Sequence, residues 1–227
     1  MFHGRYFSFY HKQMSIRKEH YTWIVFGVVA LVIILDQALK LWIKTNFYLG
    51  EDYEILPWMH LRFVQNNGFA FGMELGSKVF LTLFRIVFGG FLGWYLYRIA
   101  RTGRVKVGYM VMVALCVAGA FGNVIDCVLY GEIFNNPYPP QVAQFVPLGQ
   151  GYAPWLEGRV VDMFWFPLFA FRWPQWMPFV GGEMFSFFDP VFNVADAAIS
   201  VGIIAIILFY SRFLENFRSQ IGMEKHN

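Results

Sequence analysis

The stretch YTWIVFGVVALVIILDQALKLW, residues Tyr21–Trp42, decides the fold, because it is an almost uninterrupted apolar run. About 20 such residues cross a hydrocarbon layer of roughly 30 Å as a helix. The run is too long for a cleavable signal peptide, it contains Asp36, and no small-residue cleavage site follows it. We therefore expect a retained membrane-spanning helix.

Three further apolar stretches of similar length follow, at Val79–Tyr97, Val107–Leu129 and Pro190–Tyr210. Asp189 is placed to cap the free N–H groups of the last stretch, with Pro190 in its first turn. The composition agrees, since 57% of the 227 residues are hydrophobic and only 15% are charged. The sequence thus predicts an all-α membrane protein with four transmembrane helices.

The distribution of Lys and Arg predicts the orientation of these helices, because cytoplasmic loops carry an excess of both. The basic residues before the first helix, between the second and third, and after the fourth are Arg5, Lys12, Arg17, Lys18, Arg98, Arg101, Arg104, Lys106, Arg212, Arg218 and Lys225. We expect both termini in the cytoplasm, with residues 1–20 as a cytoplasmic N-terminal extension. Residues 44–78 and 130–189 would be extracytoplasmic loops, and residues 1–227 would form a single membrane-embedded domain.

Charge and cysteine content argue against a nucleic-acid-binding protein and against a disulfide-stabilised fold. The net charge of +3 comes from these orientation signals, and no basic groove interleaved with aromatic residues indicates nucleic-acid binding. Cys116 and Cys127 lie on one predicted helix, about 16 Å apart along its axis. That distance is too long for a disulfide, so we expect both to be packing residues.

Polar residues recur at a similar depth near the outer ends of three predicted helices. They are Asp36 and Lys40 of the first, Asn123 and Asp126 of the third, and Asn193 and Asp196 of the fourth. A charged Asp at mid-bilayer costs on the order of 2.5–3.5 kcal/mol, and less nearer the interface. We therefore expect these groups to face one another, backbone donors or water in a shared cavity that opens outward.

Structural roles stay open for each of these groups. Asp36 and Lys40 could form a buried ion pair that orients two helices. Asn123 and Asp126 could hydrogen-bond between helices. Asp196 is the residue for which function is favoured, because intramembrane acids are more often functional than structural.

The two outer loops contain further candidates. His60–Met73, HLRFVQNNGFAFGM, begins with strand-like alternation and then reaches an Asn-Asn-Gly turn. GRVVDMFWF, Gly158–Phe166, places Asp162 inside an apolar run.

Five blocks of this chain, taken in order, resemble the lipoprotein signal peptidase (signal peptidase II) family. The blocks are Asp36 with Lys40, NNGFAFG (Asn66–Gly72), GNVID (Gly122–Asp126), VVDMF (Val160–Phe164) and FNVAD (Phe192–Asp196). Each block is weak alone, but all five in order on a four-helix topology are specific. The resemblance implies a four-helix bundle with a small extracytoplasmic β-rich cradle for substrate and an enlarged outer loop.

The resemblance also implies an aspartic endopeptidase in which Asp162 and Asp196 are the catalytic pair. Residues that organise the site or bind substrate would be Asn66, Gly68, Asn123, Asp126 and Asn193, with Asp36 and Lys40 as structural support. The substrates would be diacylglyceryl-modified prolipoproteins, cleaved just before the lipidated Cys. No metal or cofactor is required.

The remaining implications concern location and partners. The protein would be a multi-pass, monomeric enzyme of the bacterial cytoplasmic (inner) membrane, with its active site on the periplasmic, outer-leaflet side. Its partners would be prolipoprotein substrates, membrane lipids and globomycin-type inhibitors. Two nearby carboxylates suit this chemistry, because one stays protonated while the other acts as a base. The pair titrates as a unit, so the sequence does not assign the two roles.

The chain departs from the family pattern after GNVID, where Cys127 stands in place of the usual Arg. Arg85 or Arg159 could supply the missing guanidinium.

Both Gly131–Val160 and Asp162–Asp196 contain extra sequence rich in Pro, Gly, Trp and Phe. We hypothesise that Asn135–Pro154 forms a lid, although passive loop elaboration is the commoner fate of such insertions.

Two other functional classes were weighed against the peptidase. A proton-coupled transporter or channel would use intramembrane acids in a relay, but no inverted repeat or broken helix pair is evident. A non-catalytic scaffold would explain the Gly and aromatic content, but it leaves the recurring Asn and Asp sets unexplained.

Overall fold

The structure, a computed structural model, describes three ranges of the 227-residue chain: 3–68, 77–102 and 105–223. Arg104 and Lys225, used above to predict topology, and residues 69–72 of the NNGFAFG block lie outside the described residues. Within these ranges, the helical segments long and apolar enough to cross a membrane are His20–Asn46, Lys78–Thr102, Val107–Ile133 and Val194–Ser211. The prediction of four candidate membrane spans is confirmed.

All of the long helices except the third are longer than the apolar runs that predicted them. The helices are α1 (His3–Asn46), α2 (Lys78–Thr102), α3 (Val107–Ile125), the short α4 (Gly131–Ile133) and α5 (Val194–Met223). A single π-helical turn, Asp126–Tyr130, joins α3 to α4. The helix α1 already begins at His3, so the basic N-terminal segment continues the first span as helix.

The predicted start of the fourth helix is wrong. The helix α5 begins at Val194, and Asp189 and Pro190 precede it without capping it. Phe192 instead forms a β-bridge with Phe164, in which the N–H of each residue donates to the carbonyl of the other, at 3.0 and 2.8 Å. These bonds require extended backbone at Phe192, so the helix cannot begin before it.

Two antiparallel sheets accompany the helices. A three-stranded sheet has the order β1 (Asp52–Leu56), β2 (Met59–Asn66), β3 (Val160–Trp165), and a hairpin pairs β4 (Phe169–Arg172) with β5 (Met184–Phe187). In the larger sheet Val64 is opposite Asp162, and Asn66 is opposite Val160. The small sheet expected from the resemblance is therefore present, and its third strand comes from the second predicted outer loop.

The described chain divides into two compact units. The first, here the helix unit, takes α1 up to Leu35, Phe84–Gly122 and α5. The second, here the sheet unit, takes Asp36–Leu83 and Asn123–Asn193.

The helix unit has an apolar core and an apolar surface. The core contains a packed cluster of buried residues: Val25, Leu96, Ile99, Ala100, Val105, Tyr109, Met110, Val113, Ala114 and Val117. Large apolar side chains such as Trp23, Val87 and Phe209 are exposed. An apolar surface of this kind suits contact with lipid rather than water.

The sheet unit has its own core beneath the three-stranded sheet. A packed cluster of buried hydrophobic residues forms this core: Ile43, Phe47, Phe63, Tyr130, Phe134, Ala143, Val161 and Met163. Strand β3 is buried at Val160, Val161, Asp162 and Met163, which explains why its sequence does not alternate between apolar and polar residues.

Gly119 sets the close approach of α3 and α5 within the helix unit. A Cβ at this position would overlap the carbonyl oxygen of Ala195 and lie 2.6 Å from Cγ1 of Ile199. We predict that Gly119→Ala lowers the free energy of unfolding by about 1–3 kcal/mol, because a backbone carbonyl cannot rotate away. Unfolding in detergent micelles titrated with a denaturing detergent measures this.

Gly90→Ala is the matched control, because no atom lies within 4 Å of a Cβ at that position in α2. Its stability should be unchanged or slightly raised, since Ala is the better helix former. Equal stability of the two variants would contradict the packing assigned to Gly119.

Candidate active site

A buried ionic cluster joins α1 to the π-helical turn. Lys40 Nζ lies 2.9 Å from Asp36 Oδ2 and 2.9 Å from Asp126 Oδ2, and all three side chains are at most 1% exposed. The four-residue spacing of Asp36 and Lys40 predicts this contact between them. Removing one partner of a buried ion pair leaves an uncompensated buried charge, so each member depends on the others.

Gln37 completes this cluster, and the sequence analysis did not single it out. Its Nε2 donates to Asp126 Oδ1 at 2.9 Å and to Asp36 Oδ2 at 3.1 Å, while its Oε1 accepts from the Tyr130 hydroxyl at 3.0 Å. The available signal was an amide side chain inside an apolar span, next to an acid. The N–H of Val161 also donates to Asp126 Oδ2, at 3.1 Å, which fixes β3 to the cluster.

Lys40 determines which way the neighbouring amides point. Its Nζ donates to Asn123 Oδ1 at 2.8 Å, and an ammonium group can only donate, so Asn123 must present its oxygen. That oxygen also accepts from Asn193 Nδ2 at 3.2 Å. Asn193 therefore presents its NH₂ group to this side, and the same nitrogen donates to Asp162 Oδ1 at 2.6 Å.

A second amide is oriented in the same manner from the opposite side of Asp162. The backbone N–H of Gly68 donates to Asn66 Oδ1 at 2.7 Å, which leaves Asn66 Nδ2 to donate to Asp162 Oδ2 at 3.1 Å. Gly68 has a φ of +83°, in the left-handed region that favours glycine, so the Asn-Asn-Gly turn requires it.

Asp162 is thus held as an acceptor on both oxygens. Its side chain is 1% exposed, it lies in β3, and its two oxygens accept from Asn193 and Asn66. An ionised carboxylate accepts on both oxygens in this way, and so can a protonated carboxyl group that donates its own proton elsewhere. The site therefore presents a carboxyl group in a fixed orientation within the sheet unit.

The π-helical turn lets the loop before β3 approach closely. Gly158 N–H donates to the Cys127 carbonyl at 2.8 Å, and a Cβ on Gly158 would overlap the Asp126 carbonyl oxygen. A π-helical turn exposes carbonyl groups that a regular helix would use internally, and such turns are frequent at functional sites. Gly158 thereby allows β3, which contains Asp162, to lie next to the ionic cluster.

Arg159 directly follows Gly158, whose N–H donates to the Cys127 carbonyl. Its guanidinium donates to Gln65 Oε1 at 3.2 Å and lies 5.5 Å from the centre of the Tyr152 ring. Arg85 lies in α2, within the helix unit. Of the two arginines considered as replacements for the Arg missing at Cys127, Arg159 is the one in the sheet unit.

Lys44 occupies an aromatic cage that the sequence analysis missed. Its Nζ is 5.1 Å from the centre of the Phe134 ring, 5.2 Å from that of Tyr152 and 5.7 Å from that of Phe63. It forms no hydrogen bond within the part of the chain that the structure describes, so the rings are its stabilising contacts. The available signal was the repeat of Asp36, Lys40 and Lys44 at four-residue steps.

Tyr152 ties the enlarged loop to this cage. Burial raises the pKa of the Tyr152 hydroxyl to about 12, so it stays neutral and accepts from the Arg159 N–H at 2.7 Å. The loop backbone is also fixed, since the N–H of Tyr152 donates to Phe134 O at 3.0 Å and that of Ala153 donates to Gly131 O at 3.1 Å. This end of the proposed lid is a packed part of the sheet unit, and the lid itself stays a hypothesis.

The described geometry brings together most of the predicted site residues in the sheet unit: Asp36, Lys40, Asn66, Gly68, Asn123, Asp126, Asp162 and Asn193. Asp196 belongs to the helix unit, where it lies in the first turn of α5 and is half-buried. Among the described residues, no three His, Cys, Asp or Glu side chains are grouped to hold a metal ion.

Comparison with known proteins identifies a family. The family model described as signal peptidase (SPase) II matches residues 28–212. A lipoprotein signal peptidase of Porphyromonas gingivalis is 46% identical over 189 residues, covering 83% of this chain and 83% of that protein. One of Amoebophilus asiaticus is 33% identical over 194 residues, covering 82% of this chain and 77% of that protein.

A solved structure has the same fold. It is described as a bacterial membrane enzyme, and it superposes with a TM-score of 0.57 at 24% sequence identity, covering 85% of this chain and 90% of the other.

The ionic cluster generates a stability prediction. Lys40→Met leaves the carboxylates of Asp36 and Asp126 buried without their cation, so we expect a loss of about 3–5 kcal/mol in the free energy of unfolding. Unfolding in mixed detergent micelles measures it. Adding Asp36→Asn to Lys40→Met should restore part of the loss, because one uncompensated charge is removed.

Lys106→Met is the control for loss of a positive charge, since Lys106 is exposed. A Lys40→Met variant as stable as Lys106→Met would show that the buried cluster does not hold the sheet unit together.

Proposed function

The chain belongs to the signal peptidase II family, and we propose that Asp162 and Asp196 are the catalytic pair of this enzyme. The protein is a protease that removes signal peptides from prolipoproteins. It is a multi-pass membrane protein with four apolar helices. Membership in this family favours the peptidase over the transporter and the scaffold considered from the sequence.

The observation that carries the proposal is the oriented carboxylate of Asp162. Two amides donate to its two oxygens, and each amide is turned by a group that can only donate, the Lys40 ammonium or the Gly68 N–H. A catalytic base needs such fixed geometry, because small misplacements reduce rates strongly.

Asp196 is proposed as the second acid because of its position in the chain. It follows Asn193 by three residues, which span at most about 11 Å. Asn193 is itself bonded to Asp162. Asp196 also lies in the first turn of α5.

In the proposed mechanism Asp162 is the anionic member and takes a proton from the attacking water. Asp196 starts protonated, polarises the scissile carbonyl and then helps to protonate the leaving amine. The assignment is motivated by the two amides of Asn66 and Asn193 that donate to Asp162, because hydrogen bonds donated to a carboxylate favour its charged form. Two close carboxylates resist double ionisation, which keeps the second one protonated.

We also propose a substrate class, an inhibitor class and a membrane orientation for this enzyme. The substrates are prolipoproteins with a diacylglyceryl-modified Cys, cleaved just before that Cys, and globomycin-type compounds inhibit the enzyme. The three-stranded sheet is the cradle for the substrate backbone. The enzyme is a monomer of the bacterial inner membrane, with both termini cytoplasmic and the site on the periplasmic side.

The catalytic pair is tested by Asp162→Asn and Asp196→Asn in the purified full-length protein. We expect each to lower cleavage of a diacylglyceryl prolipoprotein by at least about 100-fold, because general acid–base catalysis is lost. Binding of the uncleaved substrate should persist.

Asp189→Asn is the control, because Asp189 is an exposed acid between Asp162 and Asp196 in the chain. It should cleave at the rate of the unaltered protein. Cleavage at a normal rate by a folded Asp162→Asn or Asp196→Asn variant would remove that residue from the catalytic pair.

Orientation of Asn66 is tested by Gly68→Ala against Gly50→Ala. The two glycines have φ values of +83° and +90°, so Ala strains both, with a cost of about 1 kcal/mol or more in stability. Only Gly68→Ala disturbs the Asn66 contact with Asp162, and we expect its kcat to fall between about 10- and 100-fold. Equal kcat values for the two variants would contradict the role of the Asn-Asn-Gly turn.

A further inference from the structure

The β4–β5 hairpin has one face made entirely of aromatic rings. We call it the aromatic face, and it consists of Phe169, Phe171, Trp173, Phe185 and Phe187. Phe169 is opposite Phe187 and Phe171 is opposite Phe185, with ring centres 4.8 and 5.1 Å apart. Trp173 extends the row, 4.7 Å from Phe171. The rings pack on one another rather than on a protein core.

Most of the aromatic face is open. Phe169 is 53% exposed, Phe187 47% and Phe171 40%. A two-stranded hairpin alone is only marginally stable in water, and contiguous exposed apolar surface is unusual in soluble proteins. The hairpin therefore needs an apolar environment.

The segment that joins the two strands extends this surface. Phe179 is fully exposed and Trp176 is 79% exposed. Phe179 also has a φ of +68°, a conformation that a bulky residue adopts only at a cost of about 1–3 kcal/mol. Strain at an exposed aromatic side chain indicates that its position has a use.

The base of the hairpin is held firmly on the sheet unit. The Phe166 ring stacks between Trp58 and Phe192, with ring centres 6.2 and 5.6 Å away, and Phe188 packs on Phe192 at 6.0 Å. Phe192 is bonded through its backbone to Phe164 of β3. The aromatic face is thus presented by a fixed support.

We propose that this hairpin inserts its aromatic side chains into the lipid surface, at the boundary between headgroups and acyl chains. The apolar span of α5 begins at Val194, seven residues after Phe187, so the chain allows at most about 25 Å between them. The chain therefore allows the base of the hairpin to reach the membrane surface.

Composition identifies this lipid boundary as the occupant. Between Phe166 and Phe188 the only charged residues are Arg172 and Glu183, while Phe, Trp, Pro and Met dominate. Trp-containing aromatic belts occupy the membrane–water interface, where apolar rings and the polar indole N–H are both accommodated. Arg172 can extend to lipid phosphates from such a position. The proposal goes beyond peptide cleavage and does not depend on which residues are catalytic.

The test places a polarity-sensitive fluorophore on Phe179→Cys in the full-length protein. The protein is reconstituted in vesicles of phosphatidylcholine and phosphatidylglycerol, with and without lipids that carry a nitroxide near the headgroup. Both native cysteines are buried, and the unaltered protein treated with the fluorophore gives the background. Phe179 has no packing to lose, and prolipoprotein cleavage by the labelled protein verifies its fold.

Tyr138→Cys is the matched control, because Tyr138 is an aromatic residue of the enlarged loop that is 90% exposed. We expect nitroxide lipids to quench the label at 179 several-fold more than the label at 138, and aqueous iodide to show the reverse order. A second reporter at Trp176→Cys should behave like the label at 179.

Equal iodide quenching at 179 and 138, without quenching by nitroxide lipids, would overturn the proposal. Lipid quenching at 179 that arises only after addition of a diacylated prolipoprotein would also overturn it, because the substrate's acyl chains would then be the occupant. Energy transfer between labels at 179 that rises with protein density would instead identify a second copy of the chain.

Discussion

The Lys40 ammonium donates to three acceptors, Asp36, Asp126 and Asn123, and the geometry around Asp162 follows from this. An ammonium group cannot accept, so each neighbour must present an oxygen. For Asn123 this choice reverses the amide of Asn193, whose NH₂ group then meets Asp162. The Lys40 cation thus determines, through Asn123 and Asn193, that Asp162 receives a donor.

The same cluster also constrains the fold, because the single positive charge of Lys40 does not neutralise both carboxylates. Two carboxylates surround one ammonium group, and Asp126 is satisfied only with further donors from Gln37 and the Val161 N–H. Val161 reaches Asp126 because Gly158 has no side chain to hold the loop away from the π-helical turn. Burial of an ionic group thereby requires a helix, a helical irregularity and a strand in one arrangement.

The parts of this arrangement that are local in sequence could be predicted, and the others could not. The four-residue spacing of Asp36 and Lys40 predicts their ion pair, and the length of the apolar stretches predicts the four candidate spans in the described residues. Gln37 could not be assigned, because its partners include Asp126 and Tyr130, about 90 positions away in the chain. The predicted start of α5 is wrong because the backbone of Phe192 is hydrogen-bonded to Phe164, a strand residue that is distant in sequence.

The sheet unit has two enlarged segments, the loop that contains Tyr152 and the β4–β5 hairpin, and their aromatic rings have opposite exposure. The first brings Tyr152 inward, where its ring lies between the cationic groups of Lys44 and Arg159 and supplies a π-face to each. The second stacks its rings on one another and leaves them open. A buried cation must be covered from within the protein, because no water reaches it. Exposed rings can be covered by whatever lies outside, and for a chain with four apolar spans that is lipid.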